Sequence, residues 1–319
     1  MKLIKLTISI VILMAMSIGL LSACSPSDTD KLSIVVTCFP AYDFARAVAK
    51  NNADITLLLS PGSDVHSYEP TVSDISKIIE SDIYIYIGGE SDSEILPEEQ
   101  QESITESGKA IRLMDYVVPK EEELKDGMQG EDEEAGEEEE AEYDEHIWMS
   151  IANAIEIIKK IEAKLSEVDS ENTESYKTNA ADYIAQLTTL KSEYKTMIDA
   201  APLKKIVVAD RFPFRYLVDE FDLDYSAALV GCAHDADIAP TTIAYLIQVV
   251  KAEQIPYVYY VELSDNGAAA TIAEETGCQT AKLNSCERPT QEEFDAGVTY
   301  LSIMKENLNA LKLGLYPNT

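Results

Sequence analysis

Short apolar runs alternate with amphipathic stretches along most of the chain. Runs of four to six residues rich in Val, Ile and Tyr are typical of buried strands, whereas apolar positions three and four residues apart are typical of helices. The predicted strands are 32–37, 55–59, 82–87, 206–209, 225–230, 258–261 and 280–283. The predicted helices between them are 40–48, 72–79, 214–221, 240–251, 268–275 and 292–313. Strands that alternate with helices indicate an α/β fold with parallel sheets and helices on their faces.

One predicted helix is much longer than the others. Residues 172–198 contain neither Pro nor Gly, and apolar side chains recur there at steps of three and four residues. Such a helix would be roughly 40 Å long, which suits a rigid connection between two lobes. We therefore expect two α/β lobes of parallel sheet flanked by helices, joined by one long rigid helix. The expected boundaries are a first lobe at 32–170, a linking helix at 171–201 and a second lobe at 202–319.

The segment 121–145 interrupts this pattern, because 15 of its 25 residues are Asp or Glu. It has too few apolar side chains to offset the entropy cost of ordering, so we expect a mobile surface loop. Two interpretations stay open: a solvated run of charge, or a loop whose field raises the local cation concentration.

The N-terminus has the features of an export signal. Lys2 and Lys5 precede an apolar run at 6–21, which is short for a membrane-spanning helix. The ending Leu-Ser-Ala-Cys24 resembles the lipobox of bacterial lipoproteins. The resemblance implies that 1–23 is a signal peptide, that Cys24 is acylated and anchors the chain, and that 24–31 is a tether. The alternative is an uncleaved anchor helix, and both place the remainder outside the cytoplasm.

Charge and cysteine content narrow the possible functions. The formal net charge of −33 makes nucleic acid an improbable partner, because binding it depends on neutralising phosphates with Lys and Arg. Four cysteines follow Cys24, and disulfides are plausible outside the cytoplasm. Four cysteines allow three pairings, and the sequence alone does not choose among them.

The chain has three histidines, His66, His146 and His234, and each lies in a predicted connection. Connections at strand ends are where binding residues collect in α/β proteins. The alternative is that all three are solvated surface residues, because no two are spaced as ligands on one helix.

Two of these histidines lie in motifs that resemble a known family. Residues 61–70, Pro-Gly-Ser-Asp-Val-His-Ser-Tyr-Glu-Pro, and 144–148, Asp-Glu-His-Ile-Trp, resemble the metal-ligand motifs of solute-binding lipoproteins from zinc and manganese ABC importers, the cluster 9 or A-1 family. The likeness covers essentially the whole mature chain, and it implies that His66 and His146 are metal ligands. In zinc-binding members the charged loop is often rich in His, whereas here it carries carboxylates.

The second lobe departs from the family pattern. Arg211 falls where the family supplies a third ligand, and a guanidinium group cannot donate to a metal. Asp210 is the nearest candidate, Glu287 is the best candidate in the region of the fourth ligand, and His234 could have taken over that role. Glu262 could be a ligand or, with better support, a carboxylate at a helix start.

Cys232 and Cys286 lie in the two loops nearest the implied site. We expect a disulfide between them, with metal thiolates or free thiols as alternatives. Cys38 and Cys278 would then form a second pair.

The resemblance implies a binding protein, not an enzyme. Such a protein captures Zn²⁺, or alternatively Mn²⁺, between its lobes and passes it to an ABC permease with its ATPase. A surface adhesin with a degenerate metal site is one alternative. A metallohydrolase is another, although the chain lacks His-Glu-x-x-His, Gly-x-Ser-x-Gly and a phosphate-binding Gly loop.

Overall fold

The computed structural model describes residues 31–63, 68–92, 95–130, 142–232 and 237–317. The first sheet contains β1 (Leu32–Val36), β2 (Ala53–Leu57), β3 (Ile83–Tyr86) and β4 (Ala110–Arg112), in the order β2-β1-β3-β4. Its helices are α1 (Phe39–Ala49), α2 (Val72–Glu80) and α3 (Glu98–Glu106). All strand pairs are parallel, and Ile34 of β1 lies opposite both Ile55 and Ile83. Neither α3 nor β4 was predicted, because their segments carry few apolar residues.

Two helices follow the first sheet, α4 (Ile151–Val168) and α5 (Thr173–Ala200). Helix α5 is the predicted long helix, and its 28 residues correspond to roughly 42 Å. It packs against α1 and α4 of the first half and against two helices of the second. The Tyr194 ring, for example, stacks on that of Phe221 at 5.1 Å. One face of α5 is therefore buried against both halves, and the helix connects them.

The second sheet repeats the topology of the first. It contains β5 (Lys205–Val208), β6 (Asp224–Ala227), β7 (Tyr257–Tyr260) and β8 (Gln279–Lys282), in the order β6-β5-β7-β8. Its helices are α6 (Arg215–Phe221), α7 (Pro240–Glu253), α8 (Gly267–Thr276), α9 (Gln291–Asp295) and α10 (Tyr300–Leu315). The expected fold of two parallel sheets flanked by helices and joined by a long helix is confirmed. The lobe boundaries drawn from the sequence stay predictions.

The C-terminal part of the chain corrects one predicted helix. The segment 292–313 was expected to be continuous, but the structure has α9 and α10 with a turn between them. Gly297 adopts a φ of +78° in that turn, a conformation that other residues rarely adopt. Thr299 then caps α10 by accepting a hydrogen bond from the backbone N–H of Ser302 at 3.0 Å.

Asp43 of α1 joins three helices from both halves of the molecule. Its buried carboxylate accepts hydrogen bonds from the Tyr183 hydroxyl of α5 at 2.6 Å and the Tyr300 N–H of α10 at 2.8 Å. Arg46 donates a third, at 2.7 Å. The Phe44 and Tyr300 rings meet edge to face beside it, at 5.0 Å. One hydrophobic cluster contains residues of both sheets, and a second, smaller cluster belongs to the second sheet.

Part of the acidic segment is ordered, which corrects the expectation of a mobile loop for 121–130 and 142–145. Glu121 bridges to Tyr143, and Gln129 pairs with Leu229 beyond β6. The Lys125 ammonium lies 3.0 Å from the Asp224 carboxylate and 3.9 Å from the centre of the Tyr225 ring. Neighbouring groups of the second sheet supply partners that the segment lacks by itself. Residues 131–141 lie outside the described residues.

Candidate functional site

His146 is buried, and its ring is held by the aspartate two residues earlier. The Asp144 carboxylate oxygen Oδ1 accepts the backbone N–H of His146 at 2.7 Å and lies 3.1 Å from the ring atom Nδ1. Trp148 follows in a short 3₁₀ turn (Ile147–Met149), and its indole N–H donates to the Ser285 carbonyl at 2.8 Å. These contacts turn Nε2, the other ring nitrogen of His146, towards the second sheet.

Glu287 meets His146 from the second sheet. Its carboxylate oxygen Oε2 lies 3.7 Å from His146 Nε2, too long for a direct hydrogen bond but within ion-pair range. Both side chains are buried. The two residues are far apart in sequence, so their approach places an imidazole and a carboxylate together between the two halves. A metal ion could accept one donor from each.

A rigid turn at 284–287 positions Glu287. Cys286 adopts a φ of +64°, and its N–H donates to the Asn284 side chain at 2.7 Å. Glu262 accepts the backbone N–H of Ser285 at 2.8 Å and also the Ser285 hydroxyl. Glu262 is not at a helix start, because α8 begins only at Gly267, and this corrects the favoured interpretation of it. Its two hydrogen bonds to Ser285 stabilise the turn at 284–287.

Arg211 also contacts Glu287. Its guanidinium atom Nη2 lies 3.4 Å from Glu287 Oε2, and the residue is buried. Arg211 follows β5, where the strand order of the second sheet reverses and where parallel sheets commonly bind ligands. The position expected to lack a ligand is thus occupied by a positive charge.

Asp210, expected as a tentative ligand, holds the backbone in the structure. Its Oδ1 accepts the N–H of Arg211 at 2.9 Å, and its Oδ2 accepts the N–H of Val261 at 3.1 Å. Both carboxylate oxygens are therefore engaged in tying the end of β5 to the end of β7. This arrangement argues against Asp210 as a ligand.

Buried charges around His146 shift its protonation. Burial by itself lowers the pKa of His146, but the negative charge of Asp144, its contact with the ring, and the neighbouring Cys232 and Glu287 side chains outweigh burial and raise the pKa well above its usual value. Burial, together with the Asp144 charge, raises the pKa of Glu122 to about 7. Glu122, whose side chain accepts the Cys232 N–H at 2.8 Å, was not singled out from the sequence. Glu122 lies in a run of similar carboxylates, so nothing in the sequence marked it as part of the site.

The expected disulfides are absent among the described cysteines. The structure describes four free thiols, those of Cys38, Cys232, Cys278 and Cys286. The Cys232 thiol is directed at His146, whereas the Cys286 thiol is enclosed in the core near Glu262. Because these two sulfur atoms have different surroundings, they do not pair. Cys38 and Cys278 likewise belong to separate hydrophobic clusters.

Three expected functional residues, His66, His234 and Cys24, lie outside the described residues. The chain that leads to His66 is described, and residues 60–63 border a small cavity together with Glu287. The Gly62 carbonyl accepts a hydrogen bond from the Arg288 side chain at 3.4 Å. The described residues contain no group of three or more His, Cys, Asp or Glu arranged to hold a metal.

Comparison with known proteins identifies the family. The family described as zinc-uptake complex component A, periplasmic (ZnuA), matches residues 34–314. The chain belongs to this family. Among the ZnuA-like relatives, the high-affinity zinc uptake system protein ZnuA of Bacillus subtilis is 30% identical over 313 residues, which cover 92% of this chain and 93% of the relative. The zinc-binding lipoprotein AdcA of Streptococcus pneumoniae is 32% identical over 284 residues, which cover 88% of this chain. The chain spans only about half of AdcA, 55% of its length.

Solved structures of ZnuA-like proteins share the fold. The metal-dependent lipoprotein YcdH from Bacillus subtilis has a TM-score of 0.72 and 29% identity, over 89% of this chain and all of that one. The Zn(II)-bound ZnuA-like domain of Streptococcus pneumoniae AdcA has a TM-score of 0.70 and 30% identity, over 89% and 99% of the two chains. A laminin-binding adhesin from Streptococcus agalactiae, at 21% identity, shares the fold alone, with a TM-score of 0.70 over 89% and 99%. Within the described part of this chain, no helix is long and apolar enough to cross a membrane.

Proposed function

We propose that this ZnuA-family chain is the extracytoplasmic binding protein of an ABC importer, which captures Zn²⁺ and delivers it to a membrane permease. One observation carries the proposal: His146 Nε2 and Glu287 Oε2 face each other across the two halves at 3.7 Å. The relatives named for zinc binding and zinc uptake support the choice of cargo.

The donor chemistry fits a first-row divalent ion. Zinc is bound by imidazole nitrogen and carboxylate oxygen, commonly with four ligands. The Asp144 carboxylate beside His146 Nδ1 matches the outer partner that ligand histidines usually have, which fixes the ring and its tautomer. Oxygen-rich ligand sets also suit manganese, which is the alternative cargo.

We propose His66 and His146 as the ligands from the first lobe and Glu287 as the ligand from the second. His234 is the candidate for the remaining position, since Asp210 is engaged with the backbone. Water can fill a position that the chain leaves open, because catalytic and transport sites need not be closed by protein ligands.

Binding and transport do not require chemistry on the ion, so we propose no enzymatic activity. A lipid on Cys24 would keep the protein at the outer face of the membrane, close to the permease and its ATPase. If a labelled fatty acid were not incorporated into the wild-type protein, or were incorporated equally into Cys24→Ala protein, the lipid anchor would be wrong.

Zinc binding by the purified chain tests the site. We expect native mass spectrometry and metal analysis to show one zinc ion per chain, and calorimetry to show that His66→Ala with His146→Ala abolishes tight binding. Glu287→Gln should weaken binding, whereas Glu253→Gln, an exposed carboxylate that pairs with Lys205, should leave binding unchanged. Unaltered zinc affinity in the double variant would refute the site.

A further inference from the structure

Arg211 places a buried positive charge beside the carboxylate that we assign to the metal. The residue is 8% exposed, and its Nη2 atom lies 3.4 Å from Glu287 Oε2. The same carboxylate oxygen lies 3.7 Å from His146 Nε2. An ion bound by His146 and Glu287 would therefore approach the guanidinium group closely. The Glu287 oxygen nearest His146 is thus also the oxygen that Arg211 contacts.

The backbone determines where this guanidinium group lies. Arg211 is the third residue after β5, and the Asp210 carboxylate ties its N–H to the start of the turn after β7. The next residue, Phe212, donates its N–H to the Val230 carbonyl at 3.4 Å. Arg211 is thus held at the edge of the second sheet by bonds on both sides. Its contact with Glu287 is not that of a freely mobile surface side chain.

Arg211 lies where its positive charge offsets the negative charge of nearby carboxylates. Two buried carboxylates, Glu262 and Glu287, lie within its influence, and the Arg211 charge opposes the rise that burial causes in the pKa of Glu262. Burying a carboxylate without a positive partner is costly. In the metal-free protein, a permanently charged guanidinium group supplies part of that partner.

We infer that Arg211 is a built-in competitor of the metal ion: it neutralises Glu287 in the metal-free protein and must yield that carboxylate when a divalent ion binds. This inference rests on the proposed function. Arg211 therefore weakens metal binding and speeds release, since the guanidinium group regains Glu287 as the ion leaves. It is a residue that sets affinity without donating to the ion.

The test compares zinc affinity and zinc dissociation in Arg211 variants of the full mature chain. Arg211→Met removes the charge and keeps the length, so zinc should bind about tenfold or more tightly, because the ion is then no longer repelled by the Arg211 charge. The gain should come from slower dissociation, measured by stopped-flow transfer of zinc to a chelator. Arg211→Lys keeps the charge and should stay close to wild type.

Lys205→Met is the matched control. Lys205 lies on β5, the strand that precedes Arg211, and it also bridges two carboxylates, Asp224 at 3.3 Å and Glu253 at 2.8 Å. Because this variant removes the same charge at the opposite end of the strand, its zinc affinity should not change. An equal gain in Arg211→Met and Lys205→Met would overturn the inference in favour of a general effect of net charge.

A cycle in metal-free protein tests the Arg211–Glu287 contact separately. Arg211→Met should lower the melting temperature clearly when Glu287 is present, and less in the Glu287→Gln background, because the carboxylate that needed neutralising is then gone. If Arg211→Met does not fold, Arg211→Gln takes its place in both experiments.

The outcomes separate this inference from the proposed function. Folded Arg211→Met protein with unchanged or weaker zinc binding, or an additive cycle, overturns the competitor role while zinc capture stands. Wild-type protein that binds no divalent ion overturns the proposed function and with it the competition, even if the cycle shows coupling.

Discussion

Asp144 offers a sharp test of the metal site, because its carboxylate touches the proposed ligand but not the ion. In the structure one oxygen, Oδ1, accepts the His146 backbone N–H at 2.7 Å and lies 3.1 Å from His146 Nδ1. Asp144→Asn keeps the shape of the side chain and an oxygen that can accept these bonds, but it removes the charge. We expect the imidazole to stay in place while it becomes a weaker donor to zinc.

The size of the expected loss of zinc affinity follows from the role of Asp144, which hydrogen-bonds to a proposed ligand histidine and is not itself a ligand. Loss of such a partner typically costs about 10- to 100-fold in metal affinity, which corresponds to about 1.4–2.7 kcal/mol. Asp144 is 2% exposed, so water and salt screen its charge little, and we expect a loss in the upper part of that range. The fold should tolerate the change, because the Asp144 charge also raises the pKa of the neighbouring Glu122 carboxylate. Removing one of these two like charges relieves their repulsion.

Competition with a chelator of known zinc affinity measures the loss, and thermal unfolding of metal-free protein measures the stability. Asp115→Asn is the control, because Asp115 is an exposed carboxylate paired with Arg112 at 2.8 Å. Wild-type zinc affinity in Asp144→Asn would refute the orienting role of Asp144. A loss of affinity that is matched by a large drop in melting temperature would point to misfolding instead.

Three further predictions concern stability, pH and local order. Asp43→Ala should lower the free energy of unfolding by about 3–5 kcal/mol, because it leaves a buried interhelical network without its carboxylate. Urea unfolding measures this loss, and a loss below about 1 kcal/mol would contradict the prediction. Burial raises the pKa of Asp92 to about 7. The folded state therefore keeps a proton that the unfolded state releases near pH 4, and stability falls as the pH rises from about 4 to about 7. Asp92→Asn should flatten this part of the pH profile of the melting temperature, and an unchanged profile would contradict the assignment. Gln129→Ala removes two side-chain hydrogen bonds, one to the Asp237 carbonyl at 3.3 Å and one from the Ala239 N–H at 3.0 Å. Hydrogen exchange should therefore increase in residues 118–130. Unchanged exchange would show that the backbone pairing alone holds these residues in place.

Much of the fold could be predicted from local sequence patterns. Apolar runs predicted seven of the eight described strands, and they failed only for β4, a three-residue strand with one buried position. The long helix was predictable because its apolar side chains keep the helical spacing without a Pro or Gly. The closing helix was predicted too long, because its apolar spacing continues across Gly297. Only the positive φ of that residue shows the break.

The candidate site was partly visible for a different reason. His146 lies in a short motif with its orienting aspartate two residues earlier, so sequence alone pointed to the residue. His66 lies in a second such motif, whereas His234 was a candidate only as a histidine in a predicted connection, and the roles of both stay proposals. Nothing local distinguishes Glu122 from its acidic neighbours, since its half-buried position depends on the Cys232 N–H, which lies far away in the sequence.

The sequence by itself determined the α/β architecture, the long helix and the first-lobe histidines as candidates, because spacing and short motifs are properties of neighbouring residues. Only the tertiary structure decided where the side chains of Asp210, Arg211 and Glu287 lie. The bond between Asp210 and Val261 joins the end of β5 to the end of β7, and the positive φ of Cys286 shapes the turn that brings Glu287 to Arg211. The contact between Arg211 and Glu287, 76 positions apart, is set by the strand order and turns of the second sheet, which local sequence patterns do not specify.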